Sequence, residues 1–285
     1  VERSLEPAVD TQTVVYNMSS QPKSIDPAKT TELISGAVIA HVFEGLTNTG
    51  PNSSVLPGVA ERWEVSADGL TYDFYLRDNA QWSDGAPVTA RDFVYAWTRL
   101  LAPETGSLYA TVFSFLKGAE QFNTVEGTDA SVLGFEAVDD HHLRVRLEHP
   151  TSYFLQLTSF MCLMPLRRDI VEAHPEDWTL RPETYIGNGA FKMTHYERDY
   201  EVVMEPNPHY WDRDSTHIQR LVWYQIQTSQ SEYIAYLTNS IDITYGVPYP
   251  DLPEIRARLP EHLHNIPWIG TYYVGFNLRP EHPEF

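Results

Sequence analysis

Cysteine and lysine are scarce in this 285-residue chain, and no long apolar run interrupts it. Cys162 stands alone, so the chain can form no internal disulfide, and its neighbours Phe160, Met161, Leu163 and Met164 mark it as a buried small hydrophobe. Cysteine usage therefore says nothing about compartment. No stretch approaches the roughly 20 apolar residues that a membrane helix needs, so no helical span is expected. Only four lysines occur, Lys23, Lys29, Lys117 and Lys192, and 39 Asp and Glu face 20 Lys and Arg, a formal net charge of -19. Nucleic-acid binding depends on cations that neutralise phosphates, which argues against nucleic acid as a partner. Solubility, as in a salty medium, is the plainer meaning of this acidity.

Catalytic patterns are missing too. There is no G-x-S-x-G and no H-E-x-x-H, and Cys162 has no cationic neighbour or helix start to lower its pKa, so no enzyme activity is expected. Gly187-Asn188-Gly189 lacks the third glycine of a dinucleotide loop, since Lys192 stands in its place, and reads as a turn before a strand. His262-Leu263-His264 would put two imidazoles on one face of a strand, but no cysteine or third histidine lies close, and no metal site is assigned. His141-His142 reads as a turn. No cofactor is expected.

What is present describes a packed protein of two lobes, with 42% hydrophobic and 13% aromatic residues. Leu70, Tyr72, Phe74 and Leu76 alternate with Thr71, Asp73, Tyr75 and Arg77, and Ala67-Asp68-Gly69 supplies a turn, so Trp63 to Arg77 reads as a hairpin. After the turn Ser83 to Pro87, Thr89 and Asp92 can cap a helix carrying Phe93, Val94, Trp97, Leu100 and Leu101 on one side, ending at Pro103. Thr13 to Met18 reads as a buried strand, and Thr30 or Thr31 as the cap of a helix running from Leu33 towards Gly45. Further strands are expected at Phe135 to Val138, Leu143 to Leu147, Ala190 to Tyr196, Glu201 to Glu205, Ile218 to Ile226, Ile241 to Tyr245, His264 to Ile266 and Thr271 to Asn277. Helices are expected up to Phe122, through Tyr153 to Leu157, and at Arg167 to His174, Ser231 to Leu237 and Asp251 to Leu259. Seven Trp and 17 Tyr suit a cleft that accepts varied side chains, although Trp63, Trp82, Trp97, Trp178, Trp211 and Trp223 are assigned to the core.

The run P-G-V-A-E-x-W-E-x-S-x-D-G-L-T-Y-x-F-x-L-R from Pro57, followed by A-x-W-S-D-G-x-P-V-T-A-x-D-F-V-Y-A-W from Ala80, resembles the extracytoplasmic oligopeptide-binding proteins of ABC importers, solute-binding protein family 5. Asp26-Pro27, Phe43 to Leu46, Asn188 to Phe191, Glu205 to Asp212, Ile241 to Tyr245 and Thr271 to Tyr273 extend the resemblance over nearly the whole chain. It implies an α/β, periplasmic-binding-protein-like fold of the class II type, large peptide-binding subgroup, with mixed sheets. Residues 1–45 and 170–270 would form a discontinuous first lobe, 46–169 an inserted second lobe, and 271–285 the start of a third lobe otherwise absent from this chain, an N-terminal portion.

The function so implied is capture of short peptides as extended strands between lobes, and their delivery to an ABC transporter permease. The same resemblance implies a monomer that is periplasmic or extracytoplasmic, with a lipid anchor on the precursor left open. By motif position, Thr31, Glu32, Leu33, Tyr109, Tyr245, Trp268 and Tyr273 would face the ligand. Gly246 replaces the asparagine usual after that tyrosine, and Gly270 stands where some members have cysteine. Groups that hold the ligand's charged ends belong mostly to the portion not in this chain, so this chain alone is expected to fold but to bind peptides weakly or not at all. The alternatives are a stand-alone interaction module, or a binder of dipeptides, murein peptides, metal chelates or haem.

Overall fold

The computed structural model describes residues 12–265 together with Val274. The expected strand at 271–277 and the start of a third lobe at 271–285 thus lie, apart from Val274, outside the described residues. The chain divides between Gly246 and Val247 into two compact units.

The first unit is built on two four-stranded sheets. One joins β1 (Thr13–Asn17) to β8 (Phe191–Glu197), β9 (Glu201–Pro206) and β10 (Arg220–Tyr224), in the order β1-β10-β9-β8. β1 runs parallel to β10, and the other pairs are antiparallel. The other contains β4 (Ala60–Val65), β5 (Thr71–Leu76), β6 (Phe135–Ala137) and β7 (His142–Arg146), in the order β4-β5-β7-β6, all antiparallel. A short pair, β2 (Thr47–Thr49) and β3 (Val55–Pro57), lies between them in sequence. The helices of this unit are α1 (Leu33–Val42), α2 (Ala90–Leu101), α3 (Ala119–Thr124), α4 (Phe154–Leu157), α5 (Arg168–Ala173) and α6 (Ser229–Leu237). The second unit contributes α7 (Leu252–Arg258) with short 3-10 turns at Tyr249–Asp251 and Pro260–His262.

The period of two in β5 sorts its side chains as expected. Tyr72, Phe74 and Leu76 are buried with Leu143 and Val145 of β7, while Asp73 on the opposite face meets His142 at 2.6 Å and Arg144 at 2.8 Å. Gly69 makes the hairpin turn with a φ of +70°, the left-handed region that glycine enters without a Cβ clash. The α2 cap also forms: the Asp92 carboxylate accepts from the Thr89 N–H at 2.7 Å and from its hydroxyl at 3.0 Å. Phe93, Ala96, Trp97, Leu100 and Leu101 of α2 are buried against that sheet, where Trp97 meets Phe135 edge-on at 5.5 Å.

Several expectations need correction. β1 is half-buried rather than buried, because it is the outer strand of its sheet and has only a single further bridge, from Tyr16 to Ile243. That bridge is all that forms of the strand expected at Ile241 to Tyr245. Neither Thr30 nor Thr31 caps α1. Glu32 holds the N-cap position without a side-chain cap, and the helix ends at Val42 with Phe43 extended, short of Gly45. The segment up to Phe122 is not continuous, since a 3-10 turn at Ala110–Phe113 precedes α3. His262 closes a 3-10 turn, and of the strand expected at His264 to Ile266 the two described residues, His264 and Asn265, are irregular.

The Gly187-Asn188-Gly189 turn owes its composition to a close approach. A Cβ on Gly187 would sit 2.0 Å from the Val42 carbonyl oxygen, and the Gly189 N–H donates to that carbonyl at 2.8 Å. Asn188 between them is buried, accepting from the Glu44 N–H and donating to the Glu44 carbonyl, both at 3.0 Å. The turn therefore terminates α1 as well as opening β8.

Candidate ligand-binding site

β1, β10 and the bridge at Ile243 all point the same way, so the loops that follow them gather at one end of the sheet. Asn17, buried at the end of β1, ties two of these loops together: its Oδ1 accepts from the N–H groups of Ser19 and Ile226, and its Nδ2 donates to the Ile226 carbonyl at 3.1 Å. Gln21 pins the loop after β1 across the sheet, donating to the Tyr196 hydroxyl at 2.6 Å and accepting from the Asp199 N–H at 2.9 Å. That loop then delivers Thr31, Glu32 and Leu33 to the start of α1. In open α/β sheets this carboxyl edge is the usual place for ligands.

Thr31 is exposed, Glu32 half-buried, and Leu33 exposes 66% of its surface although it opens a helix whose other apolar residues are largely covered. Lys23 sits 2.7 Å from Glu32, and this hydrogen-bonded ion pair holds the Glu32 carboxyl below the usual carboxylate range. Main-chain N–H groups in the first turn of a helix lack intrahelical acceptors, which leaves them available to a ligand carbonyl.

A wall from the other sheet's side meets this segment. Residues 160–163 run beside α1, so that a Cβ on Gly36 would lie 2.6 Å from the Met161 sulfur, and Cys162 Sγ is 4.0 Å from the Thr30 carbonyl. Phe160 in the same run packs edge-on against Tyr109 at 5.4 Å. Burial raises the Tyr109 hydroxyl pKa, with Cys162 near enough to add to the shift. Cys162 is itself pushed up to about 12, chiefly by burial, and acts as a small apolar residue. The run 160–162 thus touches Tyr109 at one end and the Thr30 carbonyl, next to Thr31, at the other, and sequence motifs had marked neither Phe160 nor Cys162 for a site.

Tyr245 stands apart from that pair of walls. It is about half exposed, and the buried Glu232 carboxylate of α6 accepts its backbone N–H. Asp242 and Ile243, just before it, are anchored to β1, with the Asp242 carboxylate accepting from the Val15 N–H at 2.9 Å and the Asp242 N–H donating to the Val15 carbonyl at 2.8 Å. The Tyr16 hydroxyl pKa is raised by burial and, in lesser degree, by Tyr245 and Glu232. Glu232 is a residue that sequence reasoning missed, because its partner lies on another element with no local signal. Trp268 and Tyr273 lie outside the described residues. Among the described residues, no three His, Cys, Asp or Glu side chains are grouped as metal ligands, and no helix is long and apolar enough to cross a membrane.

Residues 54–285 match the family model described as bacterial extracellular solute-binding proteins, family 5 Middle. The chain belongs to this family. It is 37% identical over 270 residues to the periplasmic murein peptide-binding protein MppA of Escherichia coli, covering 94% of this chain and 50% of that relative. To the oligopeptide-binding protein OppA of Bacillus subtilis it is 36% identical, covering 94% of this chain and 49% of the relative. The chain thus spans about half the length of the curated relatives it matches. Among solved structures, Haemophilus influenzae OppA in complex with the peptide RPPGFSPFR superposes with a TM-score of 0.83 at 32% identity, covering 88% of this chain and 50% of that one. The family's Phe-Glu-Gly-Leu and Asn-Pro-x-Tyr-Trp-Asp elements meet here in one place, since Glu44 accepts from the Tyr210 hydroxyl at 2.6 Å and from the Trp211 indole at 2.7 Å.

Proposed function

We propose that the protein is the solute-binding component of an ABC importer, capturing short peptides and handing them to a membrane permease. The observation that supports this reading is the run Phe160–Cys162, which touches Tyr109 through Phe160 and the Thr30 carbonyl, next to Thr31–Leu33, through Cys162, in a family with a solved relative that holds a nine-residue peptide. An extended peptide that pairs with main chain at Thr31–Leu33 gains affinity without regard to its sequence, while Leu33, Tyr109 and Tyr245 offer apolar surface to its side chains. The same reading assigns Trp268 and Tyr273 to the ligand by motif position. It also takes residues 1–45 and 170–270 as the first lobe and 46–169 as the inserted one. The sheets support this division: the strands of one lie at 13–17 and 191–224, those of the other between 60 and 146.

The role needs no chemistry on the solute, so the protein is read as a non-catalytic, monomeric carrier working outside the cytoplasmic membrane, free or lipid-anchored. Calorimetry of the intact protein with di- to pentapeptides tests it. The expected result is saturable heat that Tyr109→Ala weakens by about tenfold, the loss typical of an aromatic contact at a binding surface. Absence of heat with every peptide contradicts the reading.

A further inference from the structure

The two walls of the proposed site are joined beneath the surface by an ion pair that sequence motifs did not signal. Asp26 lies in the loop leading to α1, and Arg99 in the last turn of α2. Arg99 Nη1 donates to Asp26 Oδ1 at 2.8 Å and Nη2 to Oδ2 at 2.6 Å, a two-pronged contact that fixes orientation as well as distance. The side chains retain only 14% and 6% of their exposure. Asp26 also shapes its own loop: Oδ1 accepts from the Ala28 N–H at 3.0 Å, and its carbonyl accepts from the N–H groups of Lys29 and Thr30, both at 3.0 Å. The buried Tyr185 donates to the neighbouring Ile25 carbonyl at 2.8 Å.

We propose that Asp26 and Arg99 form a clamp that sets the position of the Thr31–Leu33 segment relative to Tyr109, so that both are positioning residues for the ligand site. On one side the clamp grips the residues immediately before Thr31. On the other it grips the end of α2, from which the chain passes through Pro103–Thr105 and Gly106 to Tyr109. A buried ion pair is costly to desolvate, and removing one partner leaves an uncompensated charge, so the pair resists separation once formed. Phe160 and Cys162 also touch both sides, Phe160 through the Tyr109 ring and Cys162 through the Thr30 carbonyl, but these contacts carry no fixed two-point geometry. The bidentate pair is the directional one.

The proposal rests on the peptide-binding reading for its consequence, not for its geometry, and the experiment separates the two. Hydrogen–deuterium exchange is measured on the intact protein carrying Arg99→Met or Arg99→Lys. In Arg99→Met, amides over residues 27–36 and 106–113 are expected to exchange about tenfold faster than in the parent, while those of β8 and β9 are unchanged. Arg99→Lys keeps the charge but loses the fork, so an intermediate acceleration confined to the same two segments is expected. Unchanged exchange in these segments, or equal acceleration over the whole chain, overturns the clamp. Should Arg99→Met fail to fold, Arg99→Lys decides by the same criterion, and global unfolding of both also overturns it. Calorimetry on the same variants is expected to show peptide affinity lowered in the order Met, Lys, parent. A parent protein that binds no peptide defeats the transport reading and leaves the exchange pattern to decide the clamp.

Discussion

Glu44 is a buried carboxylate, and the donors that surround it show what the family's Phe-Glu-Gly-Leu element is for. It accepts from Tyr210, Trp211 and Asn48, while Arg77 stacks over the Trp211 ring at 3.7 Å. Burial nevertheless outweighs these donors and lifts its pKa above the ordinary carboxylate value. The folded state then binds the proton more tightly than the unfolded chain, so Glu44's contribution to stability is most favourable below the unfolded pKa of about 4.3 and is lost as pH rises through the raised value. Urea unfolding of the parent and of Glu44→Gln over a pH series is expected to show the parent losing stability relative to the variant as pH climbs through that window. A pH-independent difference contradicts this. Cys162 gives a second residue-scale test. With the thiol pushed up to about 12, a thiol reagent at pH 8 is expected to leave the native protein unlabelled and to label it promptly in urea. Rapid labelling of the native protein would mean that the Thr30–Cys162 contact is open.

Elements with a strong local period were legible in the sequence, and those held by distant partners were not. The β4–β5 hairpin and α2 were readable because alternation, a Gly69 turn and the Thr89–Asp92 cap all point to one answer before any tertiary contact is considered. α1 starts at Leu33 as expected, but its N-cap is Glu32 and not Thr30 or Thr31, and its end short of Gly45 is set by the Gly187–Gly189 turn, whose Asn188 lies 144 residues beyond its partner Glu44. Tyr109 was marked by its motif, yet the neighbours that place it, Phe160 and Cys162, carried only an apolar signal. The Asp26–Arg99 pair spans 73 residues, and although Asp26 stands in a family motif, nothing local pointed to Arg99 as its partner. The element-scale prediction follows from the glycine turn. Gly187→Ala is expected to cost more than about 2 kcal/mol in urea unfolding, because backbone rather than a movable side chain occupies the space its Cβ needs. A loss below about 0.5 kcal/mol would show that α1 and the turn can part easily.

On the scale of the whole molecule, two sheets of different sequence origin share one hydrophobic core, and polar contacts cross between them at its margins. Arg77 on Trp211, the Ser83 N–H donating to the Gly187 carbonyl at 2.7 Å, and Arg99 on Asp26 all cross between the 46–169 segment and the residues that flank it. The half-exposed Tyr245 follows the Ile243 bridge at the carboxyl edge of the first sheet, the edge to which we assign the ligand. Whether this edge holds short peptides, as we propose, is decided by native mass spectrometry of the intact protein purified without unfolding. The predicted result is a population carrying bound species that fragment as short peptides and that disappear on unfolding and refolding. A protein that carries none and takes up none from a peptide mixture, or that carries a metal chelate or haem instead, would contradict it.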